Sequence, residues 1–188
     1  MTLRDLVVVR LGVIINLVIG QLVAALLLPL FLDAVGTMLV AALVGPVAAI
    51  TVGLVSQVLM AVLSGNFTWL PFGVIQVLIA VYAWLAARAG AFRRVWTAAP
   101  AGLLLGLMAG ATAAPIAYTL FGGATAGGVS AVTATLRALG LPLQTAVYIS
   151  SMSTDMLDKT VAFVMVALIL RSLPRHLRAR FPAHAGPA

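Results

Sequence analysis

Five apolar stretches, residues 11–30, 34–63, 70–87, 97–121 and 142–170, take up most of the chain. Each is long enough to cross a bilayer as a helix, for which about 20 apolar residues suffice. A backbone in hydrocarbon must satisfy its own hydrogen bonds, so stretches of this length and greasiness read as helices. Composition agrees. Of 188 residues 63% are hydrophobic and only 8% charged, with a mean hydropathy of +1.19, which leaves too little polar surface to cover a water-soluble core. The chain reads as an all-α integral membrane protein. It contains no cysteine, which excludes disulfides, thiol chemistry and cysteine-held metals. The first stretch lacks a small-residue cleavage site behind it and is expected to be a retained helix.

The second stretch is too long for one span. Its 30 uncharged residues would make roughly 45 Å of helix, and Gly45-Pro46 lies near its middle. It is either one kinked helix or a hairpin of two short helices, and arginine placement separates the two. With a hairpin there are six spans and both termini are cytoplasmic. Arg4, Arg10, Arg88, Arg93, Arg94, Arg171, Arg175, Arg178 and Arg180 then lie inside and Arg137 alone outside, nine against one. A single kinked helix gives seven against three at best. Six transmembrane helices, some of them short, are therefore expected within residues 11–173, between a cytoplasmic N-terminus (1–10) and a basic cytoplasmic tail (174–188). The net charge of +7 is explained by topology and lipid headgroups, without nucleic acid. The hairpin's helices are short, about 11 and 17 residues, leaving room for a cavity that opens outward. Asp33 is expected at the outer end of the first helix, beside that cavity, as N-cap of the next helix, or both.

Polar residues cluster in the same outer half. The loop SGNFTWLPFG, residues 64–73, carries Asn66 and Trp69, either as an interfacial aromatic anchor or for stacking and amide contacts to a flat ligand. In the last stretch Asp155, Asp158 and Lys159 interrupt an apolar run about 18 Å of helix before Arg171. Charges at such depth cost ~2.5–3.5 kcal/mol each, so they must face protein, partners or water. Asp155 and Lys159 are spaced to pair on one helix face. They form either a structural ion pair or a ligand-facing cluster, and one lysine cannot neutralise two carboxylates. Asn16, Gln21, Gln57, Gln76 and Gln144 read mainly as interhelical glue, although Gln57 and Gln76 flank the 64–73 loop and can face the cavity. The glycine-rich FGGATAGGVSAV, residues 121–132, lacks a following Lys-Ser/Thr and reads as a flexible outer lid rather than a phosphate cradle. On the first helix Gly12, Asn16, Gly20 and Ala24 form a ridge of small or polar residues that allows another helix, internal or from a partner, to approach closely.

Six short helices, LDAVGT followed by GP at residues 32–46, the FGGATAGG loop and DMLDK followed by LRSLPRHL are similar to the substrate-binding S component of energy-coupling factor (ECF) transporters. The likeness lies with the subgroup of unassigned substrate and runs from about residue 11 to 178. The resemblance implies a bacterial cell-membrane protein that captures a vitamin or related micronutrient from outside. It implies association with a transmembrane EcfT-like subunit and two cytoplasmic ATPases, and toppling in the membrane to release the ligand inside. It places the ligand in the outer half, near Asp33, Asn66, Trp69, Asp155, Asp158 and Lys159, to which Gln76 is added from its place beside the 64–73 loop, and EcfT docking on the Gly12, Asn16, Gly20 and Ala24 ridge. That ridge has asparagine where the family carries a small apolar residue.

No GxxxxGK[ST] motif occurs, so the chain cannot power transport alone, which fits a subunit. An intramembrane enzyme using Asp155 and Asp158, or a stand-alone facilitator, are the competing classes. The first is disfavoured because both histidines, His176 and His184, lie in the tail. No cofactor or metal is expected. An outward cavity closed on its inner side argues against the second. Pyrimidine or thiazole vitamin precursors, nucleosides, pyridoxal-type vitamers and cobalamin are all admissible ligands at this level. If the acids serve the ligand, Asp158→Asn weakens binding more than it lowers expression; equal loss of both marks a structural pair.

Overall fold

The computed structural model describes residues 3–26, 28–125 and 128–174. They form seven α-helices and two short 3₁₀ segments, with no strand among the described residues. In chain order the helices are α1 (Leu3–Ala25), α2 (Val35–Leu43), α3 (Pro46–Ser64), α4 (Gly73–Arg88), α5 (Val95–Phe121), α6 (Val129–Ala138) and α7 (Leu143–Ser172). The 3₁₀ segments, Phe67–Phe72 and Ala91–Arg93, precede α4 and α5. Four segments are long and apolar enough to cross a membrane: Leu3–Ala25, Pro46–Ser64, Phe67–Arg88 and Val95–Phe121. Helix α7 is longer still, at 30 residues, but carries the three charges in its middle. The architecture fits a membrane protein. The tail with Arg175, His176, Arg178, Arg180 and His184 lies outside the described residues.

The core is apolar, but unlike a water-soluble fold the bundle also exposes large apolar side chains. Leu11, Ile14, Val18 and Leu22 of α1 are each more than half exposed, whereas Asn16 on the same helix is fully buried. An exposed leucine costs nothing against lipid tails, and buried polar groups join helices that the hydrophobic effect cannot hold together there.

The second apolar stretch takes its hairpin form. Helix α2 ends at Leu43, Gly45 turns the chain at φ +136°, and Pro46 opens α3 as its first residue. Glycine meets no steric penalty at that φ, and proline's missing N–H is no loss at a helix start. With nine residues, α2 is about 13.5 Å long, less than half a bilayer core of about 30 Å. All nine are buried, enclosed by α1, α3, α4 and α7.

The small-residue ridge of α1 packs inside the chain. Gly12 and Gly36 bring the backbones of α1 and α2 into contact, and a Cβ at Gly12 would lie 3.3 Å from the Gly36 carbonyl oxygen. A Cβ on Gly20 would meet Met60 Cε at 3.1 Å and Asp33 Cβ at 3.2 Å. Gly12, Asn16 and Gly20 are buried and Ala24 is half-buried. Docking of a second subunit through this ridge is therefore corrected: α2 and α3 already occupy it, because a helix as short as α2 can bury its backbone only by close approach to a neighbour. Gly20→Leu would disturb this packing before it reported on any partner.

A second ridge, on α5, sets the position of α7. Gly102, Gly106 and Gly110 lie one turn apart and face the α7 backbone. A Cβ at Gly102 would sit 2.6 Å from the Lys159 carbonyl oxygen, and one at Gly110 2.6 Å from Met152 Cα. The intervening turn of α7 bears Asp155, Asp158 and Lys159. The outer lid expected at residues 121–132 is in part helical, since α6 begins at Val129 and packs on α7 through Val129 and Thr133. Thr133 and Ser150 share a hydroxyl–hydroxyl bond of 2.7 Å across that contact.

Gly106→Leu forces α5 away from α7 and is expected to cost about 3 kcal/mol or more, the upper end of overpacking because backbone must move. Leu107→Ala, on the exposed face, should change stability by less than ~0.5 kcal/mol. Thermal unfolding of the two purified variants checks this, and equal melting temperatures would refute the ridge.

Candidate functional site

One end of the bundle holds a cavity lined by the 28–34 connection, the 3₁₀ segment at residues 67–72 and parts of α3 to α7. Asp33, Gln57, Trp69, Gln76, Ser151, Asp155 and Lys159 supply its polar groups. Phe31, Phe72, Ile75, Ile79, Ala113, Ala117, Thr125 and Val129 complete the wall. It offers about 60 Å³ to the centres of water-sized molecules, where one water needs only ~10–15 Å³. Among the described residues Arg4, Arg10, Arg88, Arg93, Arg94 and Arg171 lie toward the opposite ends of the helices, and Arg137 alone lies at the cavity end. Beyond Ile79 and Lys159 aromatic side chains fill the interior. Phe163 is fully buried, stacks on Phe92 at 4.8 Å and meets Tyr82 edge-on at 5.9 Å.

Helix α7 presents Ser151, Asp155 and Lys159 to the cavity at four-residue steps, which places them on one face. Asp158 sits one position off that face and is fully buried behind the wall. Its Oδ1 accepts hydrogen bonds from the backbone N–H groups of Phe31 and Leu32, both at 2.8 Å, and its Oδ2 accepts from Lys159 Nζ. Leu32 has φ +47°, the one positive value at a non-glycine described residue. That conformation is costly for leucine, and the paired bonds to Asp158 hold it in place. The two acids thus take different positions. Asp158 fixes the connection between α1 and α2, while Asp155 faces the cavity, with Oδ1 3.6 Å from Lys159 Nζ. Lys159 Nζ also lies 5.8 Å from the centre of the Phe31 ring.

Asp33 is held from below by a buried amide network. Gln76 Nε2 donates to Asp33 Oδ2 at 3.3 Å and to Gln57 Oε1 at 3.5 Å, while Gln57 Nε2 donates to the Trp69 carbonyl oxygen at 2.7 Å. Thr37 Oγ1 donates to Gln76 Oε1 and accepts from Asn16 Nδ2. Asn16 also donates to Ser56 Oγ at 3.1 Å and accepts from the N–H groups of Gly36 and Thr37 at 2.7 and 3.3 Å. Those N–H groups belong to the first turn of α2. The reading of Asp33 as N-cap is thereby corrected: Ala34 occupies the cap position with no side-chain cap, and Asn16 caps the helix from α1. An exposed helix start would draw its cap from the preceding residues, but this one is buried against a neighbour that already carries an amide.

Of the other expected site residues, Trp69 lies in the wall with its ring edge-on to Phe31 at 6.2 Å. Asn66 is not among the lining residues; its Oδ1 accepts from Thr68 N–H and Oγ1 and starts the 3₁₀ segment. Gln57 does face the cavity. Gln21 and Gln144 are exposed. Ser151 was missed, although its spacing of four before Asp155 was a readable signal. Phe31, Phe72 and Val129 had none, because only the fold brings those segments together.

Removing the Asp158 carboxylate strands two backbone N–H groups and a buried lysine. Asp158→Ala is expected to cost about 3–5 kcal/mol, the range for breaking a buried pair from one side. Asp155→Asn should retain the fold within about 1 kcal/mol, since Asp155 carries no backbone. Melting temperatures in detergent measure the split, and a milder effect at Asp158 than at Asp155 would contradict it.

Compared with protein-family models, with curated proteins and with solved structures, the chain finds no significant match in any of the three.

Proposed function

We propose that the chain is the membrane-embedded capture subunit of an ECF-type importer, taking a vitamin-like micronutrient from outside and passing it inward with an EcfT-like subunit and two ATPases. The observation that carries this reading is a cavity at the arginine-poor end of the bundle, with Phe163 buried against Phe92 and Tyr82 beyond it. Positive charge concentrates on the cytoplasmic side of membrane proteins, so the cavity opens outward and both termini lie in the cytoplasm of a bacterial inner membrane. Helices α1, α3, α4, α5 and α7 then cross, and α2 is an incomplete sixth traverse.

A bundle closed on one side by Phe92 and Phe163 is suited to holding a ligand rather than conducting it. The cavity size favours a ligand of one ring over a cobalamin. Release inward requires the whole body to reorient or the helices to part, which the ATPases would drive. With Gly12, Asn16 and Gly20 covered, the partner subunit must engage another face.

Native mass spectrometry of the purified chain against water-soluble vitamins, their precursors and nucleosides is the direct test. One small molecule should be retained at one copy per chain, and Trp69→Ala should lose it. In cells, accumulation should require the ATPases; uptake that persists with their nucleotide sites disabled would establish a facilitator instead.

A further inference from the structure

We propose that the ligand is an organic cation of single-ring size, its positive charge held between Asp33 and Asp155 and its ring against Trp69. This rests on the capture reading and adds the charge of what is captured.

The charge inventory is the first ground. Three carboxylates, Asp33, Asp155 and Asp158, gather around one lysine, and no arginine or histidine lines the cavity. Lys159 is bonded directly to Asp158, which lies behind the wall with its other oxygen taken by the Phe31 and Leu32 amides. What remains for Asp155 is the same ammonium at 3.6 Å, and for Asp33 its own backbone N–H and a neutral amide at 3.3 Å. Two carboxylates therefore face an apolar cavity while sharing less than one positive charge, an arrangement that an incoming cation completes.

Unused polar groups are the second and independent ground. Ser151 and Trp69 both line the cavity and are only 6% and 8% exposed, yet neither the hydroxyl nor the indole N–H has a hydrogen-bond partner among the described residues. Buried polar groups are nearly always bonded, so these two await a guest. A serine oxygen one turn from Asp155 can accept from an ammonium, and an indole N–H can donate to a ring nitrogen or oxygen. The aromatic wall of Trp69, Phe31 and Phe72 supplies ring stacking and a cation–π surface, which a bare metal ion would leave unused. No group of three or more metal-holding side chains occurs among the described residues.

The test is a charge series on one scaffold with the protein in nanodiscs: 3-(aminomethyl)pyridine as cation, 3-pyridinemethanol as neutral analogue and nicotinate as anion. Isothermal titration should rank them in that order, with the cation at least about tenfold tighter than the alcohol, as expected for one charge-assisted hydrogen bond. Asp155→Asn should remove most of that advantage by weakening the amine far more than the alcohol, with its melting temperature verifying the fold. If that variant fails to fold, Asp33→Asn supplies the same comparison. An alcohol that binds as tightly as the amine overturns the charge assignment and leaves capture standing. Sodium chloride competing with the amine more strongly than choline chloride does overturns it in favour of an inorganic cation. Failure of all three probes to bind overturns the assignment of a single-ring cation, while capture itself stands or falls with the vitamin and nucleoside panel.

Discussion

Everything at the cavity end depends on one carboxylate accepting two backbone N–H groups. The connection between α1 and α2 is non-helical at Phe31 and Leu32, and both of their N–H groups bond to Asp158. An unbonded N–H away from water costs several kcal/mol. Asp158 removes that cost for both groups and gains a charge partner in Lys159. With the connection pinned, Leu32 keeps its left-handed turn, Asp33 follows it into the cavity wall, and α2 starts directly behind.

That carboxylate can act only because α7 is held within backbone contact of α5. Gly102, Gly106 and Gly110 remove the side chains that would keep the two helices apart. The same device recurs where Gly12 meets Gly36, and there Asn16 uses the close approach to cap α2 and to join Thr37 and Ser56. Small residues set distances, and polar residues then lock them. Large hydrophobic side chains pack the core, as Phe163 and Met38 do, and also cover the outside, as Leu11 and Val18 do.

This division explains which parts were legible. The break at Gly45-Pro46 could be read because both residues act through local backbone geometry. The Asp155–Lys159 pairing could be read because helical periodicity places a residue and its fourth neighbour on one face. Gln57 and Gln76 could be placed near the cavity because they flank a short loop. The separation of Asp158 from Asp155 could not, since a shift of three residues turns a side chain only about 60° around the helix, and the tertiary neighbours alone decide what each of the two meets. Asn16 looked like one member of a docking ridge, yet its partners lie 20 to 40 residues away and became neighbours only through the hairpin.

By itself, then, the sequence determined the helical membrane class, the site of the hairpin turn and the half of the bundle where polar groups must collect. Those follow from hydropathy, backbone sterics and the cost of charge in hydrocarbon, all of which act over short stretches of chain. Tertiary structure alone decided that α1 turns its small-residue ridge inward, that α6 closes one side of the cavity, and that Asp158 holds backbone while Asp155, Ser151 and Trp69 line the cavity. These depend on which helices approach to backbone contact, a property of residue pairs far apart in the chain that no local pattern contains.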